Sequence, residues 1–352
     1  MQSNKIYSIV LAGENKDEYK KEEIRDKLKM NKKYETSFLY SDNKLSRYLN
    51  NDKTILENTL ESIVNSEIID ENNIFVIGDK NKLKNLDYNV NILEQKGNSL
   101  SNNLKQSINE VYSNNYEKRT IIFTGDIPSI NSSDIDEFYN KSIKKNYNKD
   151  IIFGMTDLNE MNLFYNRYFK DKNIKKQKKF GINFKDNNSK YKRSNPKLAF
   201  GNTVIINKNV YNNINELERK FDELSSMKRV FNDSKNYEKI CKIIQDDNKI
   251  KENYPSNLLE LLTFSLLKSS FLRRLLLGNI ILKGNINYSI DISNLEELVQ
   301  NKLLDNKVSF SISRTPPEFG FDVDDENDFK IANNLISNKS YREITKKFFS
   351  LT

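Results

Sequence analysis

Apolar positions in the first half of the chain fall into two alternating kinds of run. Ile6-Tyr7-Ser8-Ile9-Val10-Leu11 is short, nearly continuous and closed by Ala12-Gly13, as a strand buried on both faces would be. Thr54 to Val64 instead spaces Ile55, Leu56, Thr59, Leu60 and Ile63 along one face of a helix. Strand-like runs return at Ile74–Gly78, at Val90–Leu93 and, most strongly, at Thr120-Ile121-Ile122-Phe123-Thr124. Between the last two, Leu100, Leu104 and Ile108 mark a helix over 99–111. A turn follows, then a helix capped near Asn131/Ser132 and a strand over 150–155. Strands interleaved with helices at this spacing predict a mostly parallel sheet covered on both faces.

The pattern changes after that strand. Residues 165–195 read as a basic hairpin insertion around Phe180-Gly181-Ile182-Asn183-Phe184, and 210–285 as a helical insertion. Strand character separates the two at Leu198-Ala199-Phe200 and Thr203-Val204-Ile205-Ile206. A late strand, Val308-Ser309-Phe310-Ser311-Ile312, precedes the loop Pro316–Phe321 and a helix beginning near Asp325. With no internal repeat or low-complexity linker, the layout expected is one domain over 1–352, with 305–340 returning to the core.

Composition narrows the chemistry. The 352 residues contain no His, no Trp and a single Cys. A Ser-His-Asp triad, a His base, a His-containing zinc site and an internal disulfide are therefore excluded. Carboxylates, lysines, hydroxyls and backbone amides are left, together with a hard cation such as Mg2+. The formal charge of +8, from 57 Lys+Arg against 49 Asp+Glu, suits a nucleic acid or a phosphorylated small substrate equally. The N-terminus runs into the first strand without a signal-peptide pattern, and Leu258–Leu282 is broken by Glu260, Lys268, Arg273 and Arg274. No transmembrane segment is expected, and a cytoplasmic location is.

Two places concentrate candidate chemistry. Thr124-Gly125-Asp126-Ile127-Pro128 puts a carboxylate where the strongest strand ends, the edge at which open α/β sheets bind ligands. A plain turn aspartate is the alternative. Phe321-Asp322-Val323-Asp324-Asp325-Glu326-Asn327-Asp328-Phe329 gathers acids at a helix start. Asp325 with Asp328 would form the N-cap and its capping partner, which leaves Asp322 and Asp324 unexplained; a solvated acidic helix start is the alternative. Two such carboxylate sites brought together would hold a hard metal on oxygen. Three further segments have weaker functional readings. The basic stretch around Lys175 and Lys192 suits RNA or a phosphorylated acceptor, or is a solvated hairpin. Residues 258–277 suit a dimer partner, a membrane surface or core packing. Cys241 reads as a small core residue in an amphipathic helix.

Ile9-Val10-Leu11-Ala12-Gly13, Lys53-Thr54-Ile55-Leu56-Glu57, Gln95-Lys96-Gly97-Asn98-Ser99-Leu100, Thr124–Pro128, Phe200-Gly201-Asn202 and Gly320–Phe329 follow one another in the order seen in nucleotidyltransferases. In that order the chain resembles the MobA-like NTP transferases, which implies an α/β, GT-A-like (Rossmann-like) mixed, mostly parallel sheet. The resemblance also implies Mg2+-dependent transfer of a nucleotidyl group from an NTP to a phosphorylated small molecule, with pyrophosphate leaving. By the same resemblance, Asp126 and Asp324 would ligate Mg2+. Leu11, Ala12, Gly13, Glu14 and Gly125 would line the nucleotide, with Gln95, Gly97, Asn98, Ser99 and Asn103 toward the base or ribose. Lys53 or Lys44 would balance phosphate charge, with Arg47 another candidate, and Gly201 and Asn202 would face the acceptor. The first loop departs from the family's glycine-rich pattern: Gly13 is followed by Glu14-Asn15-Lys16, and the next glycine is Gly78. A GT-A glycosyltransferase using an NDP-sugar, or a silent binding protein, are the alternatives.

Overall fold

The computed structural model describes residues 5–13, 44–96, 100–113, 117–168, 182–185, 196–218, 290–304, 306–324 and 326–337. The strands are β1 (Ile6–Leu11), β2 (Ile69–Gly78), β3 (Asn91–Glu94), β4 (Thr120–Thr124), β5 (Ile151–Asp157), β6 (Ile182–Lys185), β7 (Lys197–Ile206), β8 (Ile290–Asp291) and β9 (Phe310–Thr315). The helices are α1 (Ile55–Val64), the short α2 (Lys80–Leu83), α3 (Leu100–Tyr112), α4 (Ser132–Asn146), α5 (Leu158–Tyr168), α6 (Lys208–Asn212), α7 (Ile292–Leu298) and α8 (Glu326–Ser337).

The main sheet runs β3-β2-β1-β4-β7-β5-β9, with β6 on β7 and β8 on β6. The pairs β1–β2, β1–β4, β2–β3 and β5–β9 are parallel, while β7 is antiparallel to both β4 and β5. This is the mixed, mostly parallel Rossmann-like sheet expected. Alternation along the strands sends neighbouring side chains into opposite cores. Val10, Ile121 and Phe123 pack with Leu56, Leu60 and Ile63 of α1 and Ile135 and Phe138 of α4. Tyr7, Ile9 and Ile122 pack on the other face with Ile108, Val111 and Tyr112 of α3.

Three elements differ from the sequence expectation. β2 begins at Ile69, ahead of the apolar run at Ile74, because Ile69 pairs with Ile6 although Asp70-Glu71-Asn72-Asn73 between them is polar. The runs at Leu198 and Thr203 form one strand, β7, bent in the middle. Its pairing with β5 jumps from Phe153↔Val204 to Met155↔Phe200, and Asn202 adopts φ +47°. That is a β-bulge, which inserts residues without ending the ladder. The late strand is Phe310–Thr315, shifted toward the loop by its parallel pairing with Ile151–Thr156. β6, within the hairpin expected over 165–195, pairs antiparallel with β7. Residues 165–168 of that stretch end α5; 169–181, 186–195, Cys241, and 219–289 including 258–277 lie outside the described residues.

Candidate active site

The carboxyl ends of β1, β2 and β4 meet closely. The Gly125 amide donates to Leu11 O at 3.0 Å, and the Ala12 amide to Ile77 O at 2.9 Å. A Cβ on Gly78 would stand 2.9 Å from Ala12 O, and one on Gly125 3.2 Å from Leu11 O. Glycine at these two positions thus lets three strand ends converge on Ala12-Gly13.

At Gly13 two of the residues expected toward the base or ribose, Gln95 and Asn103, assemble. The glycine is exposed, and an added Cβ would lie 2.6 Å from Asn103 Nδ2 and 2.7 Å from Gln95 Oε1. Both amide side chains are buried. The Gln95 amide donates to Gly78 O at 2.9 Å, which ties the start of this loop to β2. Gln106, which the sequence reasoning missed, fixes its other side. Its Oε1 accepts from the Lys96 amide at 3.1 Å and its Nε2 donates to Glu94 O at 2.6 Å. The signal was its place one turn beyond Asn103 on α3. Glu14, Gly97, Asn98 and Ser99 lie outside the described residues.

The chain segments that carry the two aspartates also come together. Asp126 O accepts the Val323 amide at 2.9 Å, so the turn after β4 is bonded to the residue preceding Asp324. Asp126 is half-buried, with Oδ1 shut off from solvent, whereas Asp324 is exposed. The Asp324 amide donates to the buried Asp328 carboxylate at 3.1 Å. Asp328 therefore grips the chain at Asp324; Asp325, its expected capping partner, lies outside the described residues. Among the described residues no cluster of three or more carboxylate or thiol ligands occurs. Two carboxylates suit Mg2+ nonetheless, because that ion keeps waters and takes substrate phosphate oxygens for its remaining positions.

Other expected residues stand elsewhere. Lys53 Nζ pairs with Glu61 Oε1 of α1 at 2.7 Å. Lys44 opens a single 3-10 turn, Lys44–Ser46. Arg47 forks onto Glu326 of α8, with Nη1 at 2.9 Å and Nη2 at 3.4 Å. Gly201 and Asn202 occupy the β7 bulge at the same sheet edge. A Cβ on Gly201 would meet Thr315 Oγ1 at 2.8 Å and Thr156 Oγ1 at 3.0 Å, and those two hydroxyls are themselves hydrogen-bonded at 2.7 Å. Asn202 Nδ2 donates to Phe319 O at 2.9 Å. Glu160, in the first turn of α5 just after β5, is exposed as a residue, yet protein crowds its carboxyl. That desolvation, and then the Asp157 charge, raise its carboxyl above the usual range, with Arg314 opposing.

The family model described as "Guanylyl transferase CofC like" matches residues 35–191. The chain is similar to that family over less than half its length. No curated protein matches the sequence. Among solved structures, a hypothetical transferase from Thermus thermophilus superposes with a TM-score of 0.54 at 17% identity, over 92% of this chain and 99% of that one. That likeness shows a shared fold. The 4-diphosphocytidyl-2C-methyl-D-erythritol synthase of Anaerococcus prevotii aligns over 95% of this chain and 100% of its own, with 12% identity and a TM-score of 0.43. The 2-C-methyl-D-erythritol 4-phosphate cytidylyltransferase of Francisella tularensis aligns over 94% and 99%, with 14% identity and a TM-score of 0.41. The sequence motifs pointed to MobA-like transferases; the matching family model names CofC-like ones.

Proposed function

We propose that the protein is a nucleotidyltransferase of the kind shared by MobA-like and CofC-like enzymes, acting in the cytoplasm, where NTPs are abundant. It moves a nucleotidyl group from an NTP to a phosphorylated small molecule and releases pyrophosphate. The observation that carries this reading is the convergence on one sheet edge of Gly13 with Gln95 and Asn103, and of the Asp126 turn with the chain entering Asp324. The match to CofC-like guanylyl transferases supports the same reaction class.

The reaction joins an acceptor phosphate oxygen to the α-phosphorus of the NTP and breaks the bond to the β-phosphate. Both partners are anions, so positioning and charge neutralisation matter more than an imidazole base. The buried amides of Gln95 and Asn103 bind the base or ribose beside Gly13, while backbone amides at Ala12 and Gly13 lie along the phosphates. Asp126 and Asp324 would hold Mg2+, which would supply positive charge beside the transferred nucleotidyl group and the leaving pyrophosphate. The bulge at Gly201-Asn202, across β4 from Gly13, receives the acceptor.

The test is pyrophosphate release from each NTP with a panel of phosphorylated acceptors and Mg2+. Asp126→Ala is expected to lower kcat/KM by about a hundredfold or more, as removal of a direct metal ligand does. Equal rates for wild type and variant would overturn the metal assignment. NDP-sugar hydrolysis without NTP consumption would overturn the reaction.

A further inference from the structure

Arg47 sits in the stretch where the family resemblance places a phosphate-balancing cation, yet its guanidinium faces the C-terminal helix. It forks onto Glu326 and lies 3.9 Å from the centroid of the Phe329 ring, gripping both ends of the first turn of α8. Its backbone reaches the other way: Arg47 O accepts the Ile55 amide, the first of α1, at 3.1 Å. α1 in turn supports the Asp126 turn, with Thr59 Oγ1 donating to Gly125 O at 3.2 Å and Leu56 packed where a Gly125 Cβ would point. The contact continues along α8, where the Asn50 amide donates to Asn333 Oδ1 at 2.8 Å and Asn50 Nδ2 to Ser337 Oγ at 3.0 Å. Leu49 and Ile55 bury against Val323, Ala332 and Ile336 beneath it.

We infer that Arg47 is a positioning residue, a strut that fixes the spacing between the Asp126 turn and Asp324. α1 carries the first loop directly and meets the second through Ile55 on Val323, while Arg47 and the segment around it tie α1 to the first turn of α8. A planar fork that also stacks on an aromatic ring holds orientation as well as distance, which a lysine cannot do. The residue thus acts on the metal aspartates through α8, without touching phosphate. This inference rests on the proposed function for what the spacing serves, but not for whether the strut exists.

Two measurements separate these points. In the metal-free protein, Arg47→Ala is expected to speed hydrogen exchange at the Val323 and Asp324 amides by about tenfold, with β1 and β4 amides unchanged. In the pyrophosphate assay the same variant is expected to need about tenfold more Mg2+ for half-maximal rate, with NTP KM little altered. Arg47→Lys should recover only part of either effect. Glu326→Gln should reproduce Arg47→Ala, and the double variant should add nothing further. Unchanged exchange at Val323 and Asp324 would overturn the strut. A raised NTP KM with an unchanged Mg2+ requirement would overturn it in favour of phosphate binding. If exchange speeds up while the wild type releases no pyrophosphate, the strut stands and the proposed function falls.

Discussion

Gly13 shows how much a single position can carry. Among the described residues no glycine has positive φ, so Gly13 answers to space and not to backbone conformation. A Cβ there would press on Asn103 Nδ2 and Gln95 Oε1, which are side-chain tips able to move. Gly13→Ala is therefore expected to leave thermal stability nearly unchanged while raising NTP KM by about tenfold, a loss of about 1.4 kcal/mol in binding. Steady-state kinetics beside a thermal melt would separate the two. The sequence made Gly13, Gln95 and Asn103 candidates; that one glycine touches both amides depends on β1 and α3 packing side by side. Lys53 is the opposite case. Its position before α1 suggested phosphate, but the charge nearest to it after folding is Glu61, two turns along the same helix.

Among elements, the join between β5, α6 and β9 at the far edge of the sheet shows how a carboxylate organises loops. Burial works against ionising Asp150, but bonds from Ser309 N and Oγ, Asn207 Nδ2 and Asn209 Nδ2 outweigh it, and its pKa falls below the ordinary value. A folded pKa below the unfolded one adds stability above the unfolded pKa and loses it as pH drops through the folded one. Asp150→Ala should thus lower stability by about 1–2 kcal/mol at pH 7, the exposed part of the group being screened. In urea unfolding the gap to wild type should hold down to about pH 5 and narrow below about pH 4. Element boundaries were most legible where local signals were complete. β1 and β4 match end to end, and α1 begins behind Thr54, whose hydroxyl and Glu57 form a capping box. They were least legible at β2, where Asp70–Asn73 looks like a loop and is carried as an irregularity between the pairs Ile6↔Ile69 and Ser8↔Ile74.

Across the whole molecule, the C-terminal return decides whether there is a site at all. β9 joins the sheet beside β5, and the turn after it drives Phe319 into the core between Phe123 and Phe138, with ring centroids 6.3 Å and 5.6 Å away. Phe319 O also accepts from Asn202 on the β7 bulge, so one residue links both halves of the proposed cleft. Phe319→Ala should cost about 3–5 kcal/mol through the cavity it leaves, measured by denaturant unfolding. A change below about 1 kcal/mol would mean that the return docks independently of this ring. Among the described residues no helix is long and apolar enough to cross a membrane.

The sequence by itself determined the alternation of strand and helix, the two cores that follow from strand periodicity, and the exclusion of histidine chemistry. These depend on spacing and composition, which are local and survive any arrangement of the elements. Only the tertiary structure decided that the Asp126 turn is bonded to Val323, that Gly13 meets Gln95 and Asn103, and that Arg47 turns to Glu326. Each joins residues far apart in the chain, and partners at that separation are chosen by which strand pairs with which, a competition that no local window of the sequence contains.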